Sequence, residues 1–174
     1  MIGLKRGTVA LEKHNKGWAA AFEEEKANLE QLLSDVALDI QHFGSTSIPD
    51  LSAKPIIDVL MAIRSLRDVG KMRNILESAG YECRENGSDD MQVLFAKGPE
   101  VKRTHYLHIT TQDSSVWKNA LAFRDFLRAH PDELRRYEEL KQKLAERYSD
   151  NRMMYTAGKS DYFQEVFRKA RDTN

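Results

Sequence analysis

The sequence predicts an α+β protein, with a mixed β-sheet and flanking helices laid down early and a helical C-terminal third. Three observations predict it. The apolar run Ile56 to Ile63 has the length and content of a strand buried on both faces. Short strand-like segments follow between residues 81 and 109, punctuated by Gly80 and by Gly98-Pro99. Beyond residue 113, apolar residues recur only at helical spacing. With 174 residues, a single domain spanning 1–174 is expected, because domains commonly run to about 100–200 residues.

The elements follow in order. Thr8 to Leu11 reads as a short β-like piece. From Gly17, the residues Trp18, Phe22, Leu29, Leu32 and Leu33 recur at helical spacing, and the Glu23-Glu24-Glu25 run is expected on the solvated face of that first helix. Val36, Leu38 and Ile40 alternate up to Phe43 as one face of a strand, which the polar Gly44-Ser45-Thr46-Ser47 ends. The buried strand Ile56 to Ile63 is next. Ser65 and Asp68 have capping-box-like spacing ahead of the stripe Leu66, Val69, Met72, Ile75 and Leu76, and Gly80 suits a helix stop. Tyr81 to Arg84, Gln92 to Ala96 and Val101 to Ile109 are read as a largely antiparallel extension of the sheet. Asp113 is the expected cap of a helix carrying Trp117, Leu121, Phe123, Phe126 and Leu127, which stops near His130-Pro131. Pro131 opens a helix with Leu134, Tyr137, Leu140 and Leu144 inward, and a last helix covers about 160–170 with Tyr162, Phe163, Val166 and Phe167 inward.

Composition excludes several classes. A hydrophobic fraction of 41% rules out general disorder, and 27 basic against 27 acidic residues leave no bulk charge for capturing nucleic acid or anionic lipid. A specific small partner is favoured. Lys97, Lys102, Arg103, His105 and Tyr106 form a basic, aromatic strip, which in a neutral chain reads better as a charged edge strand protected from aggregation than as a nucleic-acid footprint. Cys83, the single cysteine, allows neither an intrachain disulfide nor a multi-cysteine zinc site, which suits a reducing compartment. No apolar run approaches the ~18 residues of a membrane span, and the first residues are too short an apolar stretch for a secretory signal. A cytoplasmic protein without a membrane partner is expected.

Chemistry concentrates between residues 42 and 58. Gly44 and Ser45 form a bend where backbone N–H groups and a hydroxyl could approach a phosphate, with the dipole of any following helix adding to the attraction. Asp58, among Ile57, Val59 and Leu60, is costly to bury as an unpaired ion and should meet a cation, a metal or several donors, with Mg²⁺ the economical partner. The plainer alternatives are an ordinary strand-ending turn at Gly44-Ser45 and a structural ion pair between Asp58 and Lys54. Ala157-Gly158-Lys159-Ser160 matches the end of a P-loop, but Met153 stands where its first glycine is required, so that reading fails.

Gly44-Ser45 followed by Asp58 resembles the signature of the nucleotidyltransferase superfamily. The whole string His-Phe-Gly-Ser-Thr-Ser-Ile-Pro-Asp-Leu-Ser-Ala-Lys-Pro-Ile-Ile-Asp-Val, from His42 to Val59, is similar to the GrpB family, a nucleotidyltransferase-like group. Trp18, Leu107-His108-Ile109, Trp117, the Phe123 to Arg128 stretch, Tyr155 and Lys159 extend the resemblance over nearly the whole chain. It implies a nucleotidyltransferase-like mixed sheet that binds a nucleoside triphosphate, or another phosphorylated small molecule, with Mg²⁺ or Mn²⁺. In the superfamily, two acids on one strand and a third on a neighbour hold two metal ions. Here Asp58 matches the first acid, the second position is Leu60, and His108 stands nearest the third, where Mn²⁺ would tolerate its nitrogen better than Mg²⁺. Two readings follow from the incomplete triad: a metal-dependent nucleotidyltransferase, or a degenerate nucleotide-sensing or protein-interaction domain. The implied roles are metal and catalysis for Asp58, catalysis or phosphate contact for His108, phosphate binding for Gly44, Ser45, Thr46, Lys54, Arg124 and Lys159, and support of the loop for His42. A core histidine at 108, an internal ion pair at Arg124 and a surface lysine at 159 are the alternatives.

Overall fold

The computed structural model describes residues 2–172. Five strands, Asp39–Phe43 (β1), Ile57–Ile63 (β2), Tyr81–Cys83 (β3), Val93–Lys97 (β4) and His105–Thr111 (β5), form one mixed sheet in the order β1-β2-β5-β4-β3. β2 and β5 run parallel at its centre, and the other neighbours are antiparallel. The connection from β2 to β5 contains the helix Val69–Ser78 (α2) and the β3–β4 pair, which leaves room for the parallel return. The helix Gly17–Leu32 (α1) precedes the sheet, and Ser115–Ala129 (α3), Pro131–Arg147 (α4), Arg152–Ala157 (α5) and Ser160–Asp172 (α6) follow it. No helix among the described residues is long and apolar enough to cross a membrane.

The two-residue period of β2 divides its side chains between two environments. Ile57, Val59, Met61 and Ile63 join Trp18, Phe22 and Leu29 of α1, Met72 and Leu76 of α2, and Phe95, Leu107 and Ile109 in the main core. On the opposite face, Leu60 and Ala62 pack on Trp117 of α3 beside Phe43. Asp58 pairs in register with Phe43 on one side and Tyr106 on the other, and Leu60 pairs with His108. A further core, with Phe126, Leu127, Tyr137, Tyr162 and Val166, joins α3, α4 and α6 to Ile48 and Leu51 of the segment ahead of β2.

Several expectations are corrected. Thr8 to Leu11 forms no strand; the N-terminal segment is tied to the rest by single bridges, Leu4 with Arg103 and Glu12 with Ala53, and by backbone hydrogen bonds such as Val9 N–H to the Ser149 carbonyl at 2.8 Å. β1 begins at Asp39, because Val36 and Ala37 donate backbone hydrogen bonds to the Leu33 carbonyl and close a turn after α1, leaving Leu38 45% exposed. Glu25 is 5% exposed rather than solvated, since Tyr81 Oη and Lys97 Nζ donate to it at 2.8 and 2.7 Å. The charged-edge reading also fails. β5 is interior, and Arg103, 2% exposed, donates to the Gly98 carbonyl at 2.5 Å and to Glu82 at 2.6 Å. Residues 100–102 make a 3-10 turn instead of strand, and another covering Leu66–Asp68 separates the Ser65 cap from α2. Ser114, not Asp113, caps α3 by accepting from the Trp117 N–H at 3.0 Å. α5 was not anticipated; Asn151 caps it by accepting from the Met154 N–H at 3.1 Å.

Candidate functional site

A cavity of about 380 Å³ lies between the polar face of the sheet and the C-terminal helices. Its floor is Asp58, Tyr106 and His108, one rim is Gly44 to Thr46, and α3, α5 and α6 contribute the opposite wall.

The rim is shaped by Gly44. Its φ of +68° lies in the left-handed region, and a Cβ built there would stand 2.4 Å from Asp58 Oδ2, so only glycine lets the bend rest against the carboxylate. Ser47 closes the bend by donating from Oγ and from N to the Gly44 carbonyl at 2.7 and 3.2 Å. The ordered turn after Gly44 covers only Ser45–Ser47, too short to supply the helix dipole that the sequence suggested. Ser45 and Tyr137 both line the cavity, and burial raises the Tyr137 phenol well above its ordinary range. Thr46 Oγ1 lies 3.0 Å from His42 Nε2, on a ring stacked on Phe22 of α1 at 4.6 Å. Burial, then Arg128 and Arg124, push His42 down to about 3, so it meets the bend from behind as a neutral ring.

Lys54, Arg152 and Lys159 bring positive charge to the cavity. Lys54 sits ahead of β2, Arg152 opens α5 and Lys159 lies just before α6. Both ammonium groups lie over the Tyr155 ring, Lys54 at 5.6 Å and Lys159 at 4.5 Å from its centre, and Lys159 is 5.8 Å from that of Phe163. Arg152 Nη1 donates to the Tyr106 hydroxyl at 2.6 Å while its guanidinium covers the same ring at 4.9 Å. Burial pushes Lys54 down to about 7, assisted by Arg152 and Lys159 and opposed by Asp58. Lys159 falls to about 8 through burial, opposed by Asp58 and assisted by Arg152. Burial drives Asp58 upward against the pull of Lys54, Arg152 and Lys159. The carboxylate is enclosed by protein yet partly exposed, because it lines the cavity. Among the described residues no side chain donates a hydrogen bond to it or forms a close ion pair with it; the Lys54 pairing acts through space.

His108 Nδ1 lies 3.0 Å from Gln92 Oε1, and its ring meets Phe43 edge-on at 5.0 Å. Burial, with a smaller effect of Arg152, lowers it to about 4, leaving a neutral ring on the floor. On α4, Tyr137 and Lys141 are one turn apart and both reach the cavity; Lys141 donates to the Ser52 carbonyl while Glu138 Oε2 accepts from the Ser52 N–H at 2.9 Å. Burial lowers Lys141 to about 7 despite Glu138.

Of the residues singled out in the sequence, Gly44, Ser45, Thr46, Lys54, Asp58, His108 and Lys159 converge on this cavity. Arg124 does not. Its Nη1 donates to the His42 carbonyl at 2.9 Å and to Gln41 Oε1 at 3.1 Å, and its Nε to Asp125 at 2.7 Å, so it fastens α3 to β1. Arg152, Tyr106, Tyr137 and Lys141 were missed. One signal was available: Arg152, Tyr155, Thr156 and Lys159 follow helical spacing, and all four reach the cavity.

The side chains do not fit the superfamily's pair of metal ions. Asp58 is the one carboxylate of the described residues on the cavity wall, and Lys54, Arg152 and Lys159 act on it. Leu60, at the second acid position, is fully buried against Trp117. Among the described residues no group of three or more His, Cys, Asp or Glu side chains is arranged to hold a metal.

A family model described as GrpB protein matches residues 8–169. The chain belongs to the GrpB family. It is 37% identical to the glutamate-rich protein GrpB of Alkalihalophilus pseudofirmus, with 97% of this chain and 99% of that protein aligned. It is also 37% identical to the UPF0157 protein YqkA of Bacillus subtilis, but covers only 46% of that longer protein while 91% of this chain is aligned. The crystal structure of the conserved protein GrpB from Enterococcus faecalis superposes with a TM-score of 0.86 at 33% identity, covering 94% of this chain and 98% of that one. The nucleotidyltransferase-like α+β architecture of this GrpB chain thus agrees with the fold class its sequence predicts.

Proposed function

We propose that the cavity binds a phosphorylated small molecule, with nucleoside triphosphates the leading class. The observation that carries this reading is the grouping of Lys54, Arg152 and Lys159 around a single carboxylate beside the open Gly44-Ser45 bend. Three cations against one acid leave a surplus of positive charge in a partly desolvated hollow, which is what a phosphate chain requires. Arginine supplies a bidentate fork and lysine a movable point charge. Phe123 and Phe163 give the same hollow apolar walls on which a base could rest.

Nucleotidyl transfer to an acceptor is the further step the fold class suggests. In that step Asp58, raised by burial, would accept the proton of an acceptor hydroxyl, and Lys54, Arg152 and Lys159 would take up charge on the departing pyrophosphate. Leu60 favours a second reading, in which the cavity senses the nucleotide and performs no transfer.

The test is a thermal-shift series with the four nucleoside triphosphates, pyrophosphate and a sugar phosphate, each with and without divalent metal. Binding to the native state alone raises the melting temperature as ligand exceeds its dissociation constant. At least one of these ligands is expected to produce a shift that Lys159→Ala removes. A flat response to all of them at millimolar concentration overturns the proposal.

A further inference from the structure

We infer that Lys54, Arg152 and Lys159 stand in for the divalent ions of the superfamily, so that the cavity takes its polyphosphate ligand in the metal-free form. This rests on the phosphate-binding reading above and specifies its ligand as an unchelated chain of two or more phosphates. The first support is the acid inventory. Among the described residues one carboxylate faces the cavity, and the second acid position is a buried leucine. A divalent ion placed at Asp58 would have one anionic protein ligand and three cationic neighbours, an arrangement that repels it.

The second support is how the cations are held. Two inward-facing cations away from the cavity are matched by acids, Lys97 by Glu25 at 2.7 Å and Arg103 by Glu82 at 2.6 Å. Lys54 and Lys159 instead rest over an aromatic ring, and Arg152 is oriented by a phenol, with no carboxylate of the described residues in contact with any of the three. Aromatic faces and a hydroxyl position these cations without cancelling their charge. The groups come from three separate segments, ahead of β2, at the start of α5 and just before α6, so they can approach a bound phosphate chain from several directions. Metal ions in nucleotidyl-transfer sites perform the same service by neutralising adjacent phosphate oxygens.

Chelation should therefore weaken binding, because Mg²⁺ removes the negative charge these side chains recognise and brings positive charge into their midst. Calorimetric titration of the intact chain with pyrophosphate, tripolyphosphate and ATP, at constant ionic strength, compares EDTA with excess Mg²⁺. The dissociation constant in EDTA is expected to fall below that in Mg²⁺. Arg152→Ala and Lys159→Met should each weaken binding in EDTA roughly 10–100-fold, the usual consequence of losing a hydrogen bond to a charged group. Circular dichroism verifies the fold, and either variant suffices should the other fail to fold. Binding that appears only with Mg²⁺ overturns this inference and leaves the phosphate-binding reading standing. Affinity in EDTA that neither folded variant changes also overturns it, since the anion would then lie elsewhere. Silence of all three anions in both conditions removes the underlying reading itself.

Discussion

The two faces of the central sheet differ in what they do with the same strand. Toward α1 and α2, β2 presents Ile57, Val59, Met61 and Ile63 to a continuous apolar core. Toward α3 and the C-terminal helices it presents Leu60 and Ala62 to a small apolar cluster and Asp58 to a cavity with several cations. Alternation every second residue allows this, because stability can be concentrated on one side and tension tolerated on the other. A buried acid without a hydrogen-bond donor, beside lysines whose charge is penalised by burial, is a poor way to stabilise a fold. The difference implies opposite signs for mutations on the two faces.

Phe95→Ala, in the fully buried apolar core, should produce the largest effect, a loss of about 3–5 kcal/mol. Urea unfolding measures it, and a loss below about 1 kcal/mol would show that the core face is not where stability resides. Gly44→Ala comes next, at about 1–3 kcal/mol, because the residue must keep a positive φ and its new methyl would meet Asp58 Oδ2. This substitution should also abolish stabilisation by anions, which Phe95→Ala leaves intact at temperatures where that variant is folded. Lys159→Met should act in the opposite direction, raising the stability of the ligand-free protein by about 0.5–2 kcal/mol while removing its response to polyphosphate. A destabilised variant would place this lysine among the stabilising groups and erase the contrast.

Lys54 and Lys159, with values of about 7 and 8, bind fewer protons in the folded chain than in the unfolded one above those values. The cost of burying their charge is therefore fully present at lower pH and is relieved as pH rises toward the ordinary lysine range near 10.5, so their contribution favours the ligand-free fold on the alkaline side. Bound phosphate should draw protons back onto both amines, against the opposing field of Arg152 and alongside the attraction of Asp58, with Lys141 and Glu138 on α4 contributing in the same cavity. The melting-temperature rise given by pyrophosphate is expected to shrink from about pH 6.5 to about pH 9. A rise that is constant or grows across that interval contradicts the assignment of these lysines.

The core face was legible because it follows a period: Ile57 to Ile63 and the stripes of α1 and α2 announce themselves through spacing alone. Gly44 and Asp58 were legible through a resemblance covering the string from His42 to Val59, which also led to Lys159. Arg152 was not, since a basic residue opening a six-residue helix after Asn151 has no local pattern to distinguish it from surface charge. Arg124 misled for the complementary reason. It was expected to bind phosphate, but its guanidinium is engaged by the His42 carbonyl, as that of Arg128 is by the Ser47 carbonyl. Glu25 was misread because neighbouring glutamates suggested solvent, whereas its partners, Tyr81 and Lys97, lie far along the chain.

Those two arginines have a consequence for how the bend behaves. Arg124 holds the carbonyl just before it, Arg128 holds one near its end, and both belong to the same rigid helix. The rim is thus frozen during folding, and a guest arriving there need not surrender affinity to immobilise it. Recognition at that edge should resemble a key entering a cut lock more than a hand closing.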